Sequence, residues 1–173
     1  TMRKVHVMAA AGALAAMLAM AGGASAQIAP RSNAPLDIAA DQTETFTEEC
    51  RSVWKGDVEA MQAKTRMRAQ TVNVYGAKRG DGCGETEKLV AEGDVFYVQP
   101  DRRIRAKHAV YTARDETIVL TGDVIVIQGE NVARAERVVI NLKTGQSQLF
   151  AGTKGRGSKN RVRAVLFPGG NSQ

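Results

Sequence analysis

A ten-residue pattern written three times constrains this chain more than any other feature. Val53 to Gln62 reads VWKGDVEAMQ, Val90 to Gln99 reads VAEGDVFYVQ, and Val119 to Gln128 reads VLTGDVIVIQ. In each copy a valine stands three places before a Gly-Asp-Val triplet, and a glutamine six places after its glycine. The register continues downstream. Thirteen residues after Gly56, Gly93 and Gly122 come Ala69, Ala106 and Ala135, preceded by Arg68, Arg105 and Arg134. The glycines lie 37 and then 29 residues apart, so the unit is a supersecondary element with a variable connection and not a solenoid rung of fixed period.

The content of the unit is β. DVFYVQ and DVIVIQ are short, rich in β-branched and aromatic residues, and bounded by turn residues at Gln99-Pro100-Asp101 and Gln128-Gly129-Glu130. Each unit therefore reads as a hairpin: a strand through Gly-Asp-Val to the glutamine, a turn, and a return strand through Arg-Ala. On the return strands apolar residues fall at offsets 11 and 13 from the glycine, then at 16 and 18, as in Ile104 and Ala106 followed by Ala109 and Tyr111. Strand side chains alternate with period two, so the change from odd to even predicts one inserted residue, a bulge or bend, in all three units. Helical spacing is absent from these segments.

Ahead of the repeats, Arg3 and Lys4, an apolar run from Val5 to Ala21, and the small residues Ala24-Ser25-Ala26 predict a cleaved export signal over residues 1–26. Formal charge is +6 from 24 basic and 18 acidic residues, and +4 once Arg3 and Lys4 are set aside. For an exported chain this basic balance points to an anionic component of the cell envelope in place of nucleic acid. Residues 27–35, QIAPRSNAP, carry proline and no periodicity and are expected to form a mobile leader. Leu36 to Ala40 alternates and is expected to be the first strand. Glu44 to Glu49 reads as a turn into the first repeat.

Two cysteines in an exported chain predict a disulfide between Cys50 and Cys83. A metal site lacks ligands, since His108, the one histidine after the signal, has no spacing partner. It occupies the offset of Thr71 and Arg137 on a return strand, which places it towards solvent. No nucleophile elbow or phosphate-binding glycine loop is present, so no catalytic residue and no cofactor is implied. Asp57, Asp94 and Asp123 recur at one place in every hairpin, which favours a strand-start residue bonding local backbone over paired-carboxylate chemistry. The recurring arginines point outwards, to solvent or to phosphate and carboxylate groups.

Gln148 to Gly152 begins a fourth unit whose Gly-Asp-Val is lost; the glycine- and lysine-rich stretch 153–160 follows, and the return strand Arg161 to Phe167 is kept. The first and last strands are expected at sheet edges, with Leu36, Ile38 and Ala40 at one and Val162, Ala164 and Leu166 at the other. Residues 169–173 are expected to be a disordered tail.

Repeated Gly-Asp-Val hairpins with a later Arg-Ala, the opening LDIAAD, the closing RVRAVLFPGG and an export signal together resemble the LptA/OstA-like family of periplasmic lipopolysaccharide-transport proteins. The resemblance spans Leu36 to Pro168, and it implies an all-β antiparallel jellyroll over residues 36–168, an open twisted sandwich whose interior carries lipid A acyl chains. It also implies head-to-tail stacking into a bridge from an LptC-like inner-membrane component to an LptD-like outer-membrane translocon. Side chains two and four places after the repeat glycines, Val58, Val95, Tyr97, Val124 and Val126, are then expected to contact lipid, joined by Ile104, Val138 and Ile140. Glu59, at the intervening position, sets that choice of face. A secreted carbohydrate- or polyanion-binding module is the alternative.

Overall fold

The computed structural model describes residues 27–152 and 161–167. They form ten strands: β1 (Asp37–Ala39), β2 (Gln42–Phe46), β3 (Arg51–Gln62), β4 (Thr65–Arg79), β5 (Gly82–Val98), β6 (Arg103–Thr112), β7 (Thr117–Gln128), β8 (Asn131–Asn141), β9 (Ser147–Phe150) and β10 (Arg163–Val165). The repeats are the antiparallel hairpins β3–β4, β5–β6 and β7–β8. All ten strands belong to one sheet of order β1-β3-β4-β5-β6-β7-β8-β10, with β2 also pairing β3 and β9 also pairing β8. The signal at 1–26, the stretch 153–160 and the tail at 169–173 lie outside the described residues.

Every hairpin bends at its Gly-Asp pair. Register shifts fall between Lys55 and Val58, Glu92 and Val95, and Thr121 and Val124 on the outgoing strands, and between Arg68 and Thr71 and between Arg105 and His108 on the return strands. The expected bulge is present, and its irregular backbone sits on the Gly-Asp side. Gly93 has φ +78° and Asp94 φ +46°, with the same pair of left-handed residues at Gly56-Asp57 and Gly122-Asp123. Asp57, Asp94 and Asp123 are thus mid-strand residues that turn the strand, not strand-start residues; aspartate is one of the few L-residues that tolerates this backbone. Glycine precedes it because a Cβ on Gly93 would lie 2.8 Å from the Cβ of Gln70, which crosses above it from β4.

Because neighbouring strands bend at neighbouring positions, the bends line up as a crease, and the sheet folds on itself. Val72, Leu89, Leu120 and Val138 from one side of the crease share a single buried cluster with Val58, Val95, Ile104 and Val124 from the other. The jellyroll's two layers are therefore the two halves of one sheet. Away from the crease the hairpin tips meet in a seam, where Arg102 Nη1 of the β5–β6 turn donates to Ser147 Oγ on β9 at 2.6 Å.

Residues 27–35, expected to be mobile, are instead built into this seam. Ile28 is fully buried in the core cluster. The amides of Ile28 and Ala29 both donate to Gln62 Oε1, at 2.7 and 2.9 Å, and Gln62 Nε2 donates to the Ala34 carbonyl at 2.7 Å. From the other layer, the Leu142 carbonyl accepts the Arg31 amide at 3.1 Å, and the Arg31 side chain donates to the Thr144 carbonyl at 2.8 Å. A short polar segment stays ordered here because its backbone groups find fixed partners and one isoleucine fills the core. Two further expectations are corrected. Glu44 to Phe46 belong to strand β2, so the turn into the first repeat is only Thr47–Glu49, and the first and last strands shrink to three residues each.

Candidate functional site

Position two and four places beyond a bend decides which side chains face inwards. Val58, Val95, Tyr97, Ile104, Val124, Val138 and Ile140 are all buried in the core cluster, and Val126 packs against it half-buried. Val126 is the least covered because its neighbours across the sheet, Ala133 and then Ala164, lead to the edge formed by the short β10. The intervening positions face out, as Glu59 suggested. Glu59 is ion-paired with Arg66, Phe96 is 42% exposed with the Arg105 guanidinium 5.7 Å from its ring centroid, and Ile125 is half-buried.

Tyr97 is the one phenol drawn deep into the interior. Its hydroxyl donates to the Ile28 carbonyl at 2.7 Å, and burial pushes its pKa well above the ordinary value, so it stays neutral. Tyr111, nearby on the other side of the crease, is raised for the same reason.

The sequence reading missed part of this interior. Leu89, Ala91, Ile118 and Leu120 stand four and two places before their glycines and are buried. Their parity matches that of the residues beyond the bend, a signal present in the repeat itself. Ile28 and Leu142 carried no such signal, because neither belongs to the repeated register.

The recurring arginines lie on the outside of the layer formed by the strand halves that carry Val58, Val95 and Val124. Cross-strand pairing places Glu59, Arg68, Phe96, Arg105, Ile125, Arg134 and Arg163 side by side in one row. The next row towards the hairpin tips runs Met61, Arg66, Val98, Arg103, Ile127, Val132 and Val165. The corresponding row on the other layer is Gln42, Lys55, Thr71, Glu92, His108, Thr121, Arg137 and Phe150, a mixed surface that is mostly polar. His108 is exposed there beside Glu92, at 3.9 Å. At the crease Lys107 Nζ meets Asp123 at 2.6 Å, and this contact holds the carboxyl below its usual range and raises the ammonium.

Both edges of the sheet are short and split. β1 lies on Glu59 to Met61 of β3, and β10 on Val132 to Arg134 of β8, at opposite ends of the same layer; β2 and β9 end the other. Leu36, Ile38 and Ala40 turn partly into the core, while Val162, Ala164 and Leu166 are exposed. Among the described residues no strand pairs with the far sides of these four. Cys50 and Cys83 are joined as a disulfide, which ties the 3-10 turn to the start of β5. Among the described residues there is no cluster of metal-ligating side chains and no helix long and apolar enough to cross a membrane.

Comparison with known proteins agrees with this architecture. The family described as LptA/(LptD N-terminal domain) LPS transport protein matches residues 37–146, from β1 to the turn before β9. Among solved structures, LptH of Pseudomonas aeruginosa, the LptA homologous periplasmic component of the conserved lipopolysaccharide transport device, shares the fold. Its TM-score is 0.65 at 22% identity, covering 78% of this chain and 96% of that one. No curated protein matches. With the family pattern running through all three creased hairpins, the chain belongs to the LptA/LptD N-terminal domain family of lipopolysaccharide transport proteins.

Proposed function

We propose that this chain carries lipopolysaccharide through the periplasm, holding lipid A acyl chains between the two layers of its creased sheet. The observation that carries the reading is the continuous apolar interior, which takes side chains from all three repeats and from both sides of the crease. Each acyl CH₂ removed from water contributes about 0.8 kcal/mol, so ten methylenes supply roughly 8 kcal/mol before ordering costs. Val126, half-buried beside the β10 edge, marks where chains enter. The contact set is Val58, Val95, Tyr97, Ile104, Val124, Val126, Val138 and Ile140.

Bridging follows from the edges. β1 and β10 lie at opposite ends of one layer, so pairing β10 of one copy with β1 of the next continues that layer and aligns the interiors. The same contact serves an LptC-like jellyroll at one end of the bridge and an LptD-like one at the other. A photo-crosslinker at Val126 or Ile140 is expected to capture lipopolysaccharide and one at Glu59 is not; equal capture at both overturns the assignment.

A further inference from the structure

A sheet that buries one face of a layer leaves the opposite face to be explained by its own chemistry. Across the two rows described above, Arg66, Arg68, Arg103, Arg105, Arg134 and Arg163 are all exposed, and the carboxylates of those rows are Glu59 and, at the β1 end opposite Met61, Asp37. Arg66 is neutralised by Glu59, and Arg105 meets Asp94 at 3.0 Å from the crease. Among the described residues no carboxylate pairs with Arg68, Arg103 or Arg134. Between the arginines stand apolar side chains left in water: Met61, Phe96, Ile127 and Val165 are 40%, 42%, 40% and 60% exposed. The other layer pairs one exposed aromatic, Phe150 at 40%, with Arg137, and sets Glu92 and His108 in the same row.

We propose that this arginine-and-apolar face docks on the surface of an anionic phospholipid bilayer. Guanidinium groups at near-regular cross-strand spacing match a plane of phosphodiester oxygens, and the planar fork bonds phosphate in two places at once. The interleaved side chains reach the boundary between headgroup and acyl chain, where an amphipathic surface gains by burying apolar area while its cations stay among the phosphates. A dissolved polyanion satisfies the arginines and leaves Phe96, Ile127 and Val165 in water, and an apolar partner does the reverse. The bilayer surface satisfies both. Docked this way, the layer lies flat on the membrane, with the crease and the seam towards its sides, so the docked state is that of a single copy and not of one built into the proposed stack across the periplasm. This docking is independent of what the interior carries.

The test is co-sedimentation of the full chain with vesicles of phosphatidylglycerol mixed with phosphatidylcholine, and with phosphatidylcholine alone. Binding is expected to the anionic vesicles and to weaken as salt rises. Each arginine removed near an anionic surface is expected to weaken partitioning about fivefold, and the double reversal Arg68→Glu/Arg134→Glu by more than that. Phe96→Ser with Ile127→Ser is expected to weaken binding at unchanged charge, whereas Lys88→Glu on the other layer leaves it as in the wild type. Equal binding to neutral vesicles, no binding to anionic ones, or a folded double reversal that binds undiminished overturns the proposal. Should that variant lose its circular dichroism spectrum, the Phe96→Ser/Ile127→Ser pair decides alone, and undiminished binding there also overturns it. Retention of the Ile140 crosslink in the double reversal separates this face from the interior; loss of that crosslink in wild type refutes lipid carriage and leaves the docking standing.

Discussion

At the scale of single residues, the Gly-Asp pair determines the molecule's shape. Placing an alanine at Gly93 forces an L-residue to φ +78° and its Cβ against Gln70, so Gly93→Ala is expected to lower stability by about 1–3 kcal/mol, read from the denaturant midpoint. The sequence displayed these pairs but not their conformation. Parity on the return strands located the bend, whereas the aspartates looked like turn residues at a strand start because left-handed backbone within a continuous strand is rare. Tyr97 gives a pH prediction. Its folded pKa is raised above the unfolded value of about 10, so the stability it adds is fully present below that pH and is lost as pH rises towards the folded pKa. Tyr97→Phe is expected to cost about 1–3 kcal/mol near neutrality, by leaving the Ile28 carbonyl without its donor, and to flatten the alkaline limb of a stability titration. An unchanged alkaline limb would count against burial as its cause.

At the scale of elements, the sheet's ends matter most. Short, split edge strands limit unwanted pairing, yet β1 and β10 present backbone in one layer at opposite ends, which is the geometry of a heterologous, propagating contact. Concentration-dependent oligomers are expected in sedimentation. Val165→Pro removes a donor from β10 and is expected to reduce association while the fold survives; association at wild-type strength would exclude β10 as the joining strand. The hairpins were legible because repetition gave their limits, whereas the edge strands β1 and β10 are shorter than the alternation suggested. β2 was not, since QTETF is polar and Thr-rich, and its strand form comes from pairing with β3 and not from an apolar pattern. The disulfide links the 3-10 turn to the start of β5, ahead of the repeated ten-residue pattern, across a sequence separation of 33 residues. By loop-closure arguments reduction is expected to lower stability by about 3–4 kcal/mol, measured as unfolding with and without reductant. Peptide mapping without reductant should recover both cysteines in one fragment.

At the scale of the whole molecule, the segment 27–35 bears on how the proposed loading of lipid would proceed in time. It ties one layer to the other across the seam, through Gln62 and Tyr97 on one side and Leu142 on the other, with Ile28 fully buried in the core between them. An isoleucine and a handful of hydrogen bonds are few enough to serve as a latch, and, if the chain carries lipid as proposed, capture of lipid is expected to compete with its closing. The observed rate of loading is therefore expected to rise with lipid concentration and level off at the latch's own opening rate. Deleting residues 27–34 should restore a linear dependence in stopped-flow fluorescence of Trp54. Gln62→Leu, which leaves two amides without their acceptor, should raise the plateau. The protein would then behave as a timed carrier, whose throughput is set by the frequency with which residues 27–34 let go.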